Sequence, residues 1–161
     1  MELAGERVLI RDFCENDREF FAELEGHELT SKFENNHPDA VQIEDDFNNA
    51  LLHPANVPRE HFKLMVCRAE DRTQLGIISI KLNWKDIREW EIGWALHPEY
   101  WRHGYATEAV RLLIGYAFKE LNAHRIVAYA NAANERSERL MQRVGITKDG
   151  VLRETRYCNR E

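Results

Sequence analysis

No stretch of this chain approaches the roughly 20 consecutive apolar residues that a helical membrane span requires, so no membrane association is expected. The residues Met1 to Arg7 lack a basic region followed by an apolar core, and no secretory leader is read there. Only three cysteines occur, Cys14, Cys67 and Cys158, odd in number and far apart. They fit neither a disulfide framework nor a metal-ligand spacing, and the expected compartment is the reducing cytoplasm. The seven histidines show no ligand spacing with cysteine or carboxylate, so no metal is expected. A basic excess is also missing: the net charge of −6 argues against a nucleic-acid binder and permits a cationic substrate. Internal repeats, linkers and low-complexity segments are absent too.

What remains is a chain of 161 residues, 43% apolar and 31% charged, which suits one domain over residues 1–161. Partial alternation over Glu6 to Phe13 predicts a first strand. A helix follows over Arg18 to Glu25, capped by Asn16 or Asp17 and ended by Gly26. Ala40 to Leu52 reads as a second helix, broken by His53 to Pro58. Strands are predicted over His61 to Cys67, Leu75 to Leu82 and Glu89 to Leu96, the first two forming a hairpin across Glu70 to Thr73. A helical run from Ala109 to Leu121 buries Val110, Leu113, Ala117 and Leu121. His124 to Asn131 reads as a strand, Asn134 to Val144 as a helix stopped by Gly145, and Ile146 to Arg153 as a last strand. This order predicts an α/β (α+β) domain, with helices packed on a mixed sheet.

One stretch carries chemistry: Tyr100-Trp101-Arg102-His103-Gly104-Tyr105-Ala106-Thr107-Glu108-Ala109, set between a strand and a helix. The first turn of a helix leaves backbone N–H groups unpaired at the positive end of its dipole, which suits a phosphate. Gly104 lets backbone approach a ligand, the small Ala106 leaves room, and Arg102 and His103 add donors. Thr107 can cap the helix or reach a phosphate oxygen.

The run Trp101 to Ala106 resembles the Q/R-x-x-G-x-G/A pyrophosphate loop of the GNAT acetyltransferases. Tyr100 to Ala109 is closer still to the YW-x-x-GYATEA form of the ribosomal-protein N-terminal (RimJ/RimL-type) branch, which shares the tryptophan at Trp101. The element order is also that of the GNAT fold, a mixed, mostly antiparallel sheet flanked by helices. One departure stands out. After Gly150 to Glu154 the branch has a further strand inside the sheet, whereas here Thr155 to Glu161 is short and polar. That strand is missing or replaced, and an unpaired edge invites a homodimer.

The resemblance implies acetyl transfer from acetyl-CoA, as co-substrate, to a primary amine that attacks the thioester directly. Three demands follow: a neutral amine, a stabilised oxyanion and a proton for the thiolate. Alternation over the strand places Glu91, Gly93 and Ala95 on one face, with Ile92, Trp94 and Leu96 on the other. Glu91, acting through water, is the catalytic carboxylate expected, or else a solvated edge group. Backbone N–H groups near Leu96 and His97, where Pro98 ends pairing, are the expected donors to pantetheine and oxyanion. Met141 stands where many relatives place a tyrosine acid. The branch pattern N-x-x-S is met instead by Asn134-Glu135-Arg136-Ser137. By resemblance Asn134 holds the pantetheine amide and Ser137 protonates the sulfur; plain N-capping by Asn134 is compatible with both. One of Arg136, Arg139 and Arg143 can meet the 3′-phosphate, and Trp84, Trp90 and Tyr105 can line the acceptor cleft.

The acceptor is read as a protein N-terminal α-amine, ribosomal-protein-like. At pH 7 an α-amine is deprotonated for about 1.4 kcal/mol, against roughly 4.6 for a lysine. A small amine (polyamine, amino acid or antibiotic) and a non-catalytic acetyl-CoA-binding module remain as alternatives. An early acidic segment, including Glu15, Asp17, Glu19, Glu23, Glu25 and Glu28, can attract a basic peptide or simply form a solvated surface.

Overall fold

The computed structural model describes residues 1–34 and 37–154. Six strands form one sheet in chain order: β1 (Glu2–Ala4), β2 (Val8–Asp12), β3 (His61–Arg68), β4 (Gln74–Trp84), β5 (Glu89–Leu96) and β6 (Arg125–Val127). Neighbours are antiparallel except β5 and β6, which run parallel. Among the described residues five α-helices accompany it: α1 (Arg18–Gly26), α2 (Glu28–Ser31), α3 (Ala40–Leu52), α4 (Tyr105–Lys119) and α5 (Glu135–Arg143).

The central strands read as nearly continuous apolar runs because both their faces are covered. On one face Val8, Ile10, Leu64, Val66, Ile78, Ile80 and Ile92 pack against Val110, Leu113 and Ala117 of α4 and Leu140 of α5. On the other, Leu9, Met65, Cys67 and Ile77 meet Phe21 and Leu24 of α1 and Phe47 and Ala50 of α3. The rings of Phe13, Phe21 and Phe47 meet edge to face there, with centroids 5.3–5.8 Å apart.

Local signals set most boundaries. Asp39 caps α3 reciprocally with Gln42, the Gln42 N–H donating to Asp39 Oδ1 (2.8 Å) and the Asp39 N–H to Gln42 Oε1 (3.0 Å). Pro54 follows the last turn of that helix and cannot continue it. Asp17 precedes α1, yet its side chain does not cap the helix. It turns back instead to take two hydrogen bonds from Arg11 (2.7 and 2.8 Å), one from the Cys14 amide (2.8 Å) and one from Gln74 (2.6 Å).

Three expectations are corrected. β1, the edge strand Glu2–Ala4, has no counterpart in the sequence reading. The strand foreseen over His124 to Asn131 is only Arg125–Val127, because among the described residues it has no partner beyond Val127 to complete a ladder. Ile146 to Arg153 forms no strand, and Val151 and Leu152 lie exposed. Thr155 to Glu161, where a final strand is expected to be missing or replaced, lie outside the described residues. Among the described residues no helix is long and apolar enough to cross a membrane.

Candidate active site

The two parallel strands at the end of the sheet part company. Their ladder joins Glu89 to Arg125, Trp90 to Ile126 and Glu91 to Val127, and then stops while β5 continues to Leu96. From Ile92 onward β5 therefore has β4 on one side and a fork on the other.

Backbone direction follows from two hydrogen bonds. The His97 N–H donates to Leu75 O at 2.9 Å, so the amides of Gly93, Ala95 and His97 face β4. The amides and carbonyls of Ile92, Trp94 and Leu96 then face the fork. Trp101 shows this directly, its Nε1–H donating to Leu96 O from that side at 2.8 Å. Of the two amides expected to meet the thioester carbonyl, the His97 N–H is therefore already committed, and the Leu96 N–H faces the open edge. The His97 ring is buried, with Nδ1 accepting weakly from the Glu99 amide (3.4 Å) and Nε2 3.3 Å from Glu23 Oε1.

Beyond the fork lies the glycine loop. Gly104 has φ +80° and stands at the N-cap of α4, where it offers no side chain to the first-turn amides. Thr107 does not cap them either. The N–H groups of Tyr105, Ala106 and Thr107 thus keep the anion-binding capacity of a bare helix terminus. Cations gather around it. Arg102, itself at φ +67°, lies in the loop. Arg136 of α5 stacks over the Trp101 ring, and burial followed by the charge of Arg102 pushes its pKa down. Arg7, from the turn between β1 and β2, donates to His103 O at 2.9 Å and lies over the Tyr105 ring. Glu108 locks that turn to α4 by accepting from the Arg7 amide (2.7 Å), the Val8 amide (3.2 Å) and Arg7 Nε (3.2 Å).

Asn134 is the N-cap of α5, its Oδ1 accepting from the Ser137 amide at 3.2 Å. The capping role is realised, and it leaves the Asn134 NH₂ group to donate elsewhere. Arg139 pairs with Glu135 on the same helix (2.7 Å), so of the three arginines only Arg136 is engaged with the loop by a described contact. Trp101 is the pivot: it bonds the end of β5, belongs to the glycine loop and carries the first turn of α5 through Arg136. A Trp101→Phe variant leaves Leu96 O without this donor, and an unfolding loss of about 1–3 kcal/mol is expected in urea titration. An unchanged midpoint would remove Trp101 from this role.

Glu91 lies at the point where the strands part, on the face opposite α4, and pairs with Lys81 across the sheet at 3.4 Å. Trp90 does not line a cleft: it is buried in the core beside Phe62, whereas Trp84 is exposed. Glu108 stood in the glycine-loop stretch without a role of its own, whereas Arg7 and Lys81 had no place in the expected site. Their residue types are ordinary, and only pairings across the fold bring them there. Among the described residues no cluster of three or more His, Cys, Asp or Glu side chains is arranged to hold a metal ion.

Residues 7–147 match the sequence profile described as "Acetyltransferase (GNAT) domain". The uncharacterized N-acetyltransferase YnaD of Bacillus subtilis (strain 168) is 30% identical over 153 residues, 95% of this chain and 86% of that protein. The putative ribosomal N-acetyltransferase YdaF of the same organism is 35% identical over 89 residues, 55% of this chain and 49% of its own. A crystal structure of a GNAT-family acetyltransferase from Bacillus anthracis superposes with a TM-score of 0.83 at 27% identity, covering 100% of this chain and 92% of that one.

Proposed function

The chain belongs to the GNAT acetyltransferase family, an acyltransferase by that membership, and from this premise we propose how its residues transfer an acetyl group from acetyl-CoA to an amine. The pyrophosphate lies against the bare first turn of α4, on the N–H groups of Tyr105, Ala106 and Thr107, with Arg102, His103 and Arg136 beside it and Gly104 allowing the close approach. The pantetheine arm runs along the open edge of β5. The Leu96 N–H donates to the thioester carbonyl and then to the oxyanion, and the Asn134 NH₂ group holds a pantetheine amide. His97 contributes by ending the strand; its amide is spent on Leu75.

The amine attacks directly: the N–C bond forms as the carbonyl electrons move to oxygen, and the C–S bond then breaks. Ser137 delivers the proton that the thiolate takes up. Glu91, held by Lys81, orders the water through which the amine sheds its proton. The observation that carries this reading is the convergence of an unpaired strand edge with an uncapped helix terminus ringed by arginines.

The acceptor we propose is a protein N-terminal α-amine of the ribosomal-protein kind, in the cytoplasm. The YW-x-x-GYATEA stretch and the partial likeness to a putative ribosomal N-acetyltransferase support it. The outer edge of β6, unpaired among the described residues, suits a homodimer. Thiol release from acetyl-CoA, followed against free N-terminal peptides, polyamines and amino acids, tests the reading. Peptide turnover is expected, falling about 10- to 100-fold in Asn134→Ala and Ser137→Ala. Binding of acetyl-CoA with no release for any amine would instead establish a non-catalytic binding module.

A further inference from the structure

The face of the sheet opposite α4 has a hollow in it. One row across the sheet joins Lys63 of β3, Ser79 of β4 and Gly93 of β5. Ser and Gly stand there where neighbouring rows carry larger side chains, and a Cβ added to Gly93 would lie only 3.3 Å from Ser79 Oγ. The floor is therefore low. Leu24 and Glu25 of α1, Thr30 and Ser31 of α2, and Glu34 close it from above, leaving a cavity of about 360 Å³. Trp94 and Ala95 complete its wall, so it abuts the part of β5 whose other edge faces the fork.

Of the six acidic residues singled out in the early segment, Glu25 alone lines this cavity. Its side chain is 30% exposed, and Lys63 Nζ lies 3.7 Å away, too far for a tight pair. Resting on the acetyl-transfer reading above, we propose that Glu25 is a catalytic residue: the cavity admits a primary ammonium group and the Glu25 carboxylate is the acceptor of its proton. The step balances simply. R–NH₃⁺ and the carboxylate become R–NH₂ and the carboxylic acid, and the proton then passes to solvent. The freed amine attacks the thioester carbonyl as described.

Charge and proton affinity agree with this role. Glu25 and Glu34 outnumber Lys63 around the cavity, which favours a cationic guest over a neutral one. Burial pushes the Glu25 carboxyl above the ordinary carboxylate range; Lys63 on β3 pulls it back in part, while Asp46 on α3 and Glu34 push it further up. A base is most useful when its proton affinity approaches the working pH. Glu91, one row along on the same face and paired with Lys81, serves the later step, ordering the water that takes the second proton, the one left on nitrogen after attack.

Initial rates of thiol release over a pH series, with an alanine-initiated peptide and with spermidine, test the assignment. Glu25→Gln is expected to lower kcat/KM by 100-fold or more while calorimetric affinity for acetyl-CoA stays the same. Lys63→Met removes the cation that favours the charged carboxylate. The acid limb of kcat/KM should then move to higher pH, a displacement that a merely structural residue would not produce. Normal turnover in Glu25→Gln, or an acid limb unmoved in Lys63→Met, would overturn this inference and leave the acetyltransferase reading intact. Absence of turnover by the parent protein with every amine would overturn that reading, and this one with it.

Discussion

Asp17→Ala is expected to cost about 3–5 kcal/mol of folding free energy, the usual effect of removing one partner from a buried ion pair. Asp17 is fully buried and receives four hydrogen bonds, two of them from Arg11. Truncation strands the Arg11 guanidinium, the Cys14 amide and the Gln74 amide together. It also frees the entrance of α1, the helix that roofs the proposed acceptor cavity. Against a total of about 5–15 kcal/mol for a typical domain, such a loss is large. Urea titration measures it, and a loss below about 1 kcal/mol would contradict the account.

The same site predicts acid sensitivity. Burial alone would raise the Asp17 pKa, but the hydrogen bonds from Arg11, the Cys14 amide and Gln74 outweigh it and hold the carboxyl below the ordinary range. A carboxyl depressed on folding contributes its stability above the unfolded pKa and loses it as pH falls through the folded value. The parent protein should therefore lose stability progressively below about pH 4. The Asp17→Ala protein should show a shallower decline over that window.

Gly104→Val should lower acetyl-CoA affinity about 100-fold, roughly 2.8 kcal/mol. At φ +80° a side chain incurs about 1–2 kcal/mol of backbone strain, and β-branching adds to it. The new Cβ would also come within 3.0 Å of Arg7 Nη2, and in the proposed binding mode it would stand in the path of the pyrophosphate. A control separates strain from ligand blockage. Gly145 has φ +86° and open space around it, so Gly145→Val should reduce stability while leaving acetyl-CoA affinity unchanged. Equal loss of affinity in both variants would mean that the loop glycine acts only through folding.

Much of this architecture was legible because the signals are local. The helix Ala40–Leu52 and the strand Glu89–Leu96 fall where periodicity and punctuation placed them. The glycine loop was recognisable from ten consecutive residues. The strand read over His124 to Asn131 was too long because β-propensity describes a side chain's fitness for a sheet, while a ladder also needs a neighbour. The hydrophobic Val151 and Leu152 likewise suggested a strand, and among the described residues no partner strand comes to them.

By itself, the sequence determined the family, the central strands β3 to β5, the helices α1, α3 and α4, the glycine loop before α4 and the start of α5 at Asn134. These depend on neighbours within about one turn of helix or a few strand residues. Only the tertiary structure decided that His97 spends its amide on β4 and Leu96 does not, since strand pairing sets that direction. It also brought Arg7 to His103, 96 residues away, and placed Lys63, Ser79 and Gly93 in one row beneath Glu25. Such juxtapositions arise from long-range pairing and packing, and no local pattern of residues encodes them.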